Sequence, residues 1–513
     1  MAGTCPAERP VVRPAEGLSA DESRWLGQRE KATHSALVSV LERTNIGNID
    51  VRAYLQDIVD DGGTLPRIGI AVSGGGYRAL MNGAGALGAF HNRTTASTEV
   101  GGLGGILQAS TYLSGLSGGS WLVGSLYMAN FTSVQSIVGA TSGPLSQLWQ
   151  FNETIIEGPA TLSTRDYYQQ IQDAVDAKAN AGYHTTITNT WGRSPSPAYT
   201  LSSAFDNGTL APDAPCVRGV DNIGFIVGTS SSLFNQAFLQ LGRASLDGFI
   251  PEFFVRSLNN TLADISEENT DVASWPKPFF GYRPADNPNA ESRTLDLVDG
   301  APPTRPPTGP TAPPSSPPLA ARPLAAPTSA PPRRIASPPF PPSAHTFVNL
   351  GLNRRPTFFG CNPDLTGTAS PPGPLIVYLP NAPYSYFSNE TTFQMEYTPE
   401  EWRTIMRNGA DGVTLANSSL DAQWPARVGC AILERSLRRT GTKFPSKCDE
   451  CFARYCWNGT VNETTPAEVY SPAMILTSSA GRRGVGWWLV GWGLVGWGFQ
   501  ALVAWLVVLV VWI

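Results

Sequence analysis

A short apolar segment followed directly by a glycine cluster most restricts what this chain can fold into. Residues 68–72 form an apolar run of strand length, residues 73–76 read Ser-Gly-Gly-Gly, and residues 79–90 are small and apolar. Such a run is typical of a strand buried on both faces, and the small-residue segment is typical of a buried helix. Strand–turn–helix units of this kind predict an α/β fold, with a central, mostly parallel sheet and helices on both faces.

A serine lies in a second segment of the same kind. Residues 115–121 read Gly-Leu-Ser-Gly-Gly-Ser-Trp and match the pattern G-x-S-x-G, in which Ser117 occupies a tight turn between a strand and a helix. Residues 104–116 fit a helix or a strand before this turn, and residues 118–129 fit a helix after it. The chain contains 51 glycines, so the pattern also arises by chance and does not identify a nucleophile by itself.

The glycine cluster has the composition of an anion-binding loop. Backbone N–H groups of Gly75 and Gly76 can stabilise an oxyanion at the start of the following helix, and Arg78 can bind a phosphate through its planar guanidinium. The alternative is a nucleotide-binding turn. It is disfavoured because the loop lacks the lysine of a P-loop and no G-x-G-x-x-G motif fits here.

A nucleophilic serine also needs a base. The four histidines lie in uninformative contexts, so a carboxylate is the other option. Asp299 is the best candidate because an alternating apolar run, residues 295–298, ends there in Asp-Gly. The alternative is that Asp-Gly marks an ordinary turn.

Taken in chain order, residues 73–79, 115–121 and 297–300 resemble the fungal phospholipase B (lysophospholipase) family. That family is related to the group IV cytosolic phospholipases A and, more distantly, to patatins. The resemblance extends over residues 228–236, 346–362, 375–383 and 451–460, and covers most of 5–300 and 345–465. It implies a patatin/cytosolic-phospholipase-like Ser-Asp hydrolase domain without a cofactor or a metal. Position by position, it implies that Ser117 is the nucleophile and Asp299 the base, that Gly75 and Gly76 form the oxyanion hole, and that Arg78 binds the substrate phosphate.

Composition indicates the cellular environment. A net charge of -5 without a dense basic segment argues against nucleic-acid binding. Nine N-x-[ST] sequons indicate a secreted glycoprotein; they lie at Asn92, Asn130, Asn152, Asn207, Asn259, Asn389, Asn417, Asn458 and Asn462. The seven cysteines, five of them at positions 361, 430, 448, 451 and 456, favour disulfides over a zinc site. Because seven is odd, at least one thiol is unpaired or its partner is missing.

Three regions depart from the family pattern. Residues 1–26 contain no signal peptide, so either the sequence lacks its signal or the protein is cytosolic and its sequons are unused. Residues 301–343 contain 17 prolines and predict a disordered insertion, which we interpret as retained intron or misassembled sequence, the alternative being a genuine linker. Residues 484–513 carry no charge and predict a glycosylphosphatidylinositol (GPI) attachment signal, the alternatives being a transmembrane helix or a frame error.

The predicted organisation is therefore an N-terminal part of a catalytic domain (1–300), the Pro-rich insertion (301–343), a Cys-rich C-terminal part of the same domain (344–470) and the hydrophobic tail (484–513). We expect a secreted or cell-surface enzyme that acts at a membrane or micelle surface on phospholipids and lysophospholipids, with no obligate protein partner. Two alternatives remain: a catalytically impaired surface glycoprotein, and a lysophospholipid acyltransferase that uses the same dyad.

Overall fold

The computed structural model describes residues 2–3, 12–13, 17–154, 158, 160–180, 199–202, 205–206, 209–210, 216–232, 273–287, 290–297, 299, 344–366, 373–392, 394–465, 472–476 and 505–512. The Pro-rich insertion and most of the hydrophobic tail lie outside these residues. The chain divides into two compact units. The first comprises Met1–Leu18, Leu116–Phe131 and Gln147–Pro331, and the second comprises Ser19–Gly115, Thr132–Ser146 and Pro332–Ile513.

The described helices are α1 (Ala20–Thr44), α2 (Val51–Asp60), α3 (Gly76–Phe90), α4 (Ile106–Ala109), α5 (Gly118–Met128), α6 (Val134–Val138), α7 (Thr164–Asn180), α8 (Ile223–Gly228), α9 (Ala344–Asn349), α10 (Pro363–Thr366), α11 (Pro399–Thr414), α12 (Trp424–Thr440) and α13 (Ser446–Tyr455). The described strands are β1 (Ala2–Gly3), β2 (Arg67–Val72), β3 (Ser110–Gly115), β4 (Tyr199–Ser202), β5 (Phe205–Asp206), β6 (Thr209–Leu210), β7 (Cys216–Asn222), β8 (Ala273–Pro276), β9 (Thr294–Leu297), β10 (Thr357–Phe359), β11 (Leu375–Pro380) and β12 (Trp505–Trp512). Short 3₁₀ helices span Pro144–Gln147 and Leu352–Arg354.

Several local predictions are confirmed. The apolar run at 68–72 lies in β2, the small-residue segment lies in α3, and the segment after the G-x-S-x-G motif is α5. Residues 104–116 contain both a short helix and a strand, α4 and β3. Residues 20–60 form two helices, because Asn45 adopts a left-handed conformation (φ 49°) that ends α1, and Asp50 caps the start of α2.

The central sheet belongs to the second unit and has the strand order β10-β11-β12-β2-β3. The prediction of a mostly parallel sheet is wrong for these strands, because only β2 and β3 are parallel and the other three pairs are antiparallel. The parallel pair is joined by a long connection that contains α3, as parallel neighbours require. The strand–turn–helix pattern behind the parallel prediction covers only β2, α3 and β3. It does not extend to β10, β11 and β12, which come from distant parts of the chain.

Strand β12 comes from the C-terminal hydrophobic segment and lies between β11 and β2. It runs antiparallel to both, and Val508 pairs with Tyr378 on one side and with Ala71 on the other. Apolar residues 507–511 are therefore paired along both edges. Within the described part of the chain, no helix is both long and apolar enough to cross a bilayer.

The second unit has an apolar core and two disulfide bonds. An aromatic cluster around β10 and β11 contains Phe347, Leu352, Phe359, Ile376, Tyr378 and Trp457. Disulfides join Cys361 to Cys456 and Cys430 to Cys448, whereas Cys451 is a buried free thiol. Burial raises the pKa of the Cys451 thiol to about 12. The predicted use of these cysteines in disulfides, with an unpaired thiol left over, is confirmed at these positions.

Candidate active site

Ser117 occupies the turn between β3 and α5. It is the residue that precedes α5, with φ 51° and ψ −125°, and the residue is 5% exposed. A non-glycine residue with this backbone conformation costs about 1–3 kcal/mol, which the surrounding structure must offset. The Ser117 carbonyl accepts hydrogen bonds from the N–H groups of Ser120 (2.7 Å) and Trp121 (3.2 Å). The strained strand–turn–helix geometry expected from the sequence is therefore present.

Helix α5 packs against α8 in the first unit. A Cβ atom at Gly124 would lie 2.6 Å from the Val227 side chain, so only glycine allows this approach. The Trp121 indole N–H donates a 3.0 Å hydrogen bond to Ser231 Oγ, just beyond the end of α8. This close packing and this hydrogen bond both help to orient the helix that follows Ser117.

Asp299 lies two residues beyond the end of β9, which pairs with β8 as an antiparallel hairpin. The expected strand before Asp-Gly is therefore observed. Asp299 is 4% exposed, and its backbone N–H donates a 2.8 Å hydrogen bond to Ser232 Oγ. Ser117 and Asp299 belong to the same unit, and both are buried.

Gly75 and Gly76 form the turn into α3 in the second unit. Both have positive φ, 132° at Gly75 and 65° at Gly76. The first N–H groups of a helix have no intrahelical acceptor and lie at the positive end of its dipole. A Cβ atom at Gly75 would also lie 2.9 Å from Arg78 Nη2, so the guanidinium folds back over the glycine. The loop thus has no side chain at these two buried positions, and the Arg78 guanidinium lies over Gly75.

Arg78 lies in the first turn of α3 and is held by a loop of the same unit. Its Nη1 donates a 2.8 Å hydrogen bond to the Glu390 carbonyl oxygen. Burial lowers the pKa of Arg78, an effect that nearby Tyr397 and Glu390 partly oppose. Because an arginine keeps its proton throughout the physiological pH range, the group remains a cation beside the glycine turn. The structure therefore brings Gly75, Gly76 and Arg78 together.

The sequence analysis did not identify three residues that hold the candidate site residues in position. Ser231 and Ser232 contact the helix after the candidate nucleophile and the backbone of the candidate base, and Glu390 anchors Arg78. The signal for the two serines was the segment Gly-Thr-Ser-Ser-Ser at 228–232, which carried a family resemblance but no chemical role. Glu390 gave no signal because its hydrogen bond to Arg78 comes from its backbone carbonyl, and because its carboxylate, which also interacts with Arg78, lies 312 residues away along the chain.

His91 is a buried histidine that contacts a neighbouring arginine. It is 3% exposed; its Nδ1 lies 3.0 Å from the Arg93 backbone nitrogen and its Nε2 lies 3.2 Å from Arg93 Nε, and the neutral ring accepts a hydrogen bond at one of these two nitrogens. Burial, reinforced by Arg93, lowers the pKa of His91 to about 4. It is therefore neutral at pH 7.

Most of the described sequon asparagines are at the surface. Asn462 is half-buried, and the exposed ones are Asn92, Asn130, Asn152, Asn389, Asn417 and Asn458. The predicted sites at Asn207 and Asn259 lie outside the described residues.

Comparison with known proteins identifies relatives over most of the chain. The family model described as "Lysophospholipase catalytic domain" matches residues 68–202, 195–304 and 334–462. Lysophospholipase 2 of Aspergillus fumigatus is 41% identical, covering 91% of this chain and 94% of its own length. The lysophospholipase of Penicillium chrysogenum is 39% identical over 93% of this chain and 92% of its own.

Two similar solved structures are those of human GIVD cytosolic phospholipase A2 in complexes with methyl gamma-linolenyl fluorophosphonate. They are 15% and 16% identical, each covers 84% of this chain, and the matches span 67% and 66% of the human chain. The TM-scores are 0.41 and 0.43. The family model covers more than half of the chain and the fungal relatives cover nearly all of it; the chain belongs to the lysophospholipase catalytic-domain family.

Proposed function

We propose that this protein is a lysophospholipase/phospholipase B, which hydrolyses fatty acyl esters of lysophospholipids and phospholipids through a serine acyl-enzyme. Membership of the lysophospholipase family supports the hydrolase activity. The observation that carries the mechanism is the strained, buried Ser117 at the start of α5. We also propose that the domain has the patatin/cytosolic-phospholipase-like fold of Ser-Asp hydrolases.

In the proposed reaction, Asp299 accepts the hydroxyl proton of Ser117 while Ser117 Oγ attacks the ester carbonyl. The resulting oxyanion is stabilised by the N–H groups of Gly75 and Gly76; each such donor contributes roughly 3–4 kcal/mol to lowering the barrier. Collapse of the tetrahedral intermediate breaks the ester bond, and the leaving glycerol oxygen takes the proton from Asp299. Water then attacks the acyl-enzyme, giving its proton to Asp299, and the free fatty acid leaves as Ser117 is reprotonated.

Arg78 is proposed to bind the substrate phosphate. Its hydrogen bond to the Glu390 carbonyl fixes the direction of the guanidinium, and its position over Gly75 places the positive charge next to the proposed oxyanion hole. A phosphate attracted to this charge would bring the neighbouring acyl ester towards the same loop. This arrangement favours glycerophospholipid esters over uncharged lipid esters.

We propose that the protein is secreted or held at the cell surface and is N-glycosylated. The exposure of six sequon asparagines supports glycosylation. A GPI signal in the C-terminal segment remains the proposal for anchoring. The pairing of residues 505–512 in the central sheet is an alternative role for that segment, because cleavage would remove this strand. Neither the acyltransferase nor the non-catalytic alternative gains support from the relatives described above, which carry the name lysophospholipase.

The test is fatty acid release from lysophosphatidylcholine by the full-length chain expressed in a secretory host. We expect Ser117→Ala and Asp299→Asn each to lose at least about 10³-fold in kcat/KM, because each removes a reacting group. Asp296→Asn is the matched control, since Asp296 is an exposed aspartate on β9 three residues away. Normal turnover by a folded Ser117→Ala protein would refute the mechanism.

A further inference from the structure

Two adjacent serines connect the elements that carry the proposed dyad. Ser231 Oγ accepts the indole N–H of Trp121 at 3.0 Å, and Ser232 Oγ accepts the backbone N–H of Asp299 at 2.8 Å. Both serines are 1% exposed. We call this pair, Ser231 and Ser232, the serine bridge.

The serine bridge connects the proposed nucleophile to the proposed base through consecutive hydrogen bonds and one peptide bond. The backbone N–H of Trp121 donates a 3.2 Å hydrogen bond to the Ser117 carbonyl. The same tryptophan therefore contacts Ser117 through its backbone and Ser231 through its indole. One peptide bond then leads to Ser232, and a single hydrogen bond leads to Asp299. All of these residues belong to the first unit.

The segment that carries the bridge is itself fixed. It follows α8, and the N–H groups of Ser230 and Ser231 donate 3.0 Å bonds to the carbonyls of Val227 and Gly228. Gly124 lets α5 approach Val227 closely. The serines are therefore attached to a turn that packs against the nucleophile's helix, and a movement of that turn would be transmitted to Asp299.

We propose that the serine bridge is a positioning device for the Ser-Asp dyad, with Ser232 as the positioning residue that sets the backbone of the general base. This rests on the proposed function. A general base works only within hydrogen-bond reach of the proton that it accepts, and about 1 Å of misplacement can cost on the order of 100-fold in rate. Asp299 follows a strand by only two residues, and the Ser232 bond fixes its main chain directly.

Ser232→Ala tests this role in the full-length protein. We expect kcat for lysophosphatidylcholine hydrolysis to fall about 10- to 100-fold with KM within about twofold of wild type, because only the reacting geometry changes. Ser232→Thr keeps an Oγ acceptor and should restore most of kcat. The Ser231 and Ser232 hydrogen bonds act in series. The fold-loss of kcat in the double variant Ser231→Ala/Ser232→Ala should therefore be smaller than the product of the fold-losses in the two single alanine variants.

A purely structural serine provides the control. Ser436 is fully buried, and its Oγ lies 2.8 Å from Tyr54 Oη in the second unit. Ser436→Ala removes a comparable buried hydrogen bond and should lower Tm to a similar extent without changing kcat per folded molecule. Folded protein is measured by near-ultraviolet circular dichroism, so that loss of fold is not counted as loss of turnover.

The outcomes separate the two levels of the hypothesis. If Ser232→Ala keeps kcat per folded molecule while Ser117→Ala and Asp299→Asn abolish it, the positioning role is wrong and the proposed function stands. If Ser117→Ala or Asp299→Asn retains turnover, the proposed function fails, and the positioning role fails with it. If Ser232→Thr does not fold, the comparison of kcat between the single and double alanine variants still tests the positioning role.

Discussion

The contact between α3 and α11 can be tested with one methyl group. A Cβ atom at Gly85 would lie 1.8 Å from the Met406 carbonyl oxygen, and one at Gly409 would lie 2.1 Å from the Asn82 carbonyl oxygen. The two helices therefore touch backbone to backbone. Because the clashing atoms are main-chain atoms and cannot rotate away, Gly85→Ala must push the helices apart.

Two opposing effects determine how much Gly85→Ala changes the free energy of unfolding. Overpacking a core typically costs about 1–3 kcal/mol, and a clash with main chain belongs at the upper end of that range. Replacing glycine by alanine inside a helix returns about 0.5–1 kcal/mol. We therefore expect Gly85→Ala to lower the free energy of unfolding by about 2 kcal/mol.

Gly88 provides a control in the same helix. A Cβ atom there would lie 3.7 Å from the Val134 side chain, which is an ordinary van der Waals contact. Gly88→Ala should therefore be neutral or stabilise the protein by up to about 1 kcal/mol. Equilibrium urea unfolding measures both variants, and the free energies of unfolding of the two alanine proteins should differ by about 2–3 kcal/mol.

The same two variants also test whether the position of α3 affects catalysis. Helix α3 begins at the proposed oxyanion loop, so displacing it should also lower kcat per folded molecule in Gly85→Ala and not in Gly88→Ala. Equal stability of the two variants would refute the close approach of α3 and α11. It would also remove the reason for glycine at position 85.

Four further results are expected. Gly75→Ala should lower kcat/KM at least about 100-fold with fatty acid release as the assay, because an L-residue is strained at φ 132° and the loop donors would move. Replacing Cys361 and Cys456 by serine should cost about 2–5 kcal/mol in urea unfolding, since the disulfide closes a loop of 95 residues. Val508→Pro should reduce the yield of folded protein, whereas Val508→Ile should not, because proline interrupts a strand that is paired on both sides. His91, whose pKa is about 4 in the fold against an ordinary 6.5, contributes stability above pH 6.5 that is lost as the pH falls from 6.5 to 4, so Tm should drop more in this interval for wild type than for His91→Gln.

The local units of the site could be predicted because each depends on neighbouring residues. The strand before the glycine loop, the helix after it and the turn at Ser117 follow from apolar runs and from glycines at fixed offsets. The strand before Asp299 follows from simple alternation. These patterns leave the fold few local alternatives, so sequence reasoning succeeded there.

The remaining features depend on long-range contacts that no local pattern encodes. Ser232 meets Asp299 across 67 residues, and Arg78 meets Glu390 across 312 residues. In both contacts one partner is a backbone atom, whose chemistry is the same for every side chain. A sequence reading based on side-chain chemistry cannot identify such partners, and the serine bridge is the clearest example.

The C-terminal segment shows why composition alone leaves its role open. A membrane-directed tail and a strand buried in the middle of a sheet require the same residues: a continuous apolar run without charge. Length does not separate the two uses here, because the uncharged run at 484–513 is long enough for a helical span of about 20 residues and also contains the 4–8 residues that a strand needs. Trp505–Trp512 has the length of a strand, and its register aligns it with β11 on one side and β2 on the other. Strand β2 leads directly into the proposed oxyanion loop. Cleavage of this segment, as a GPI signal requires, would therefore remove a neighbour of the strand that supports the loop, so anchoring by cleavage and a sheet completed by β12 cannot both hold in one mature molecule.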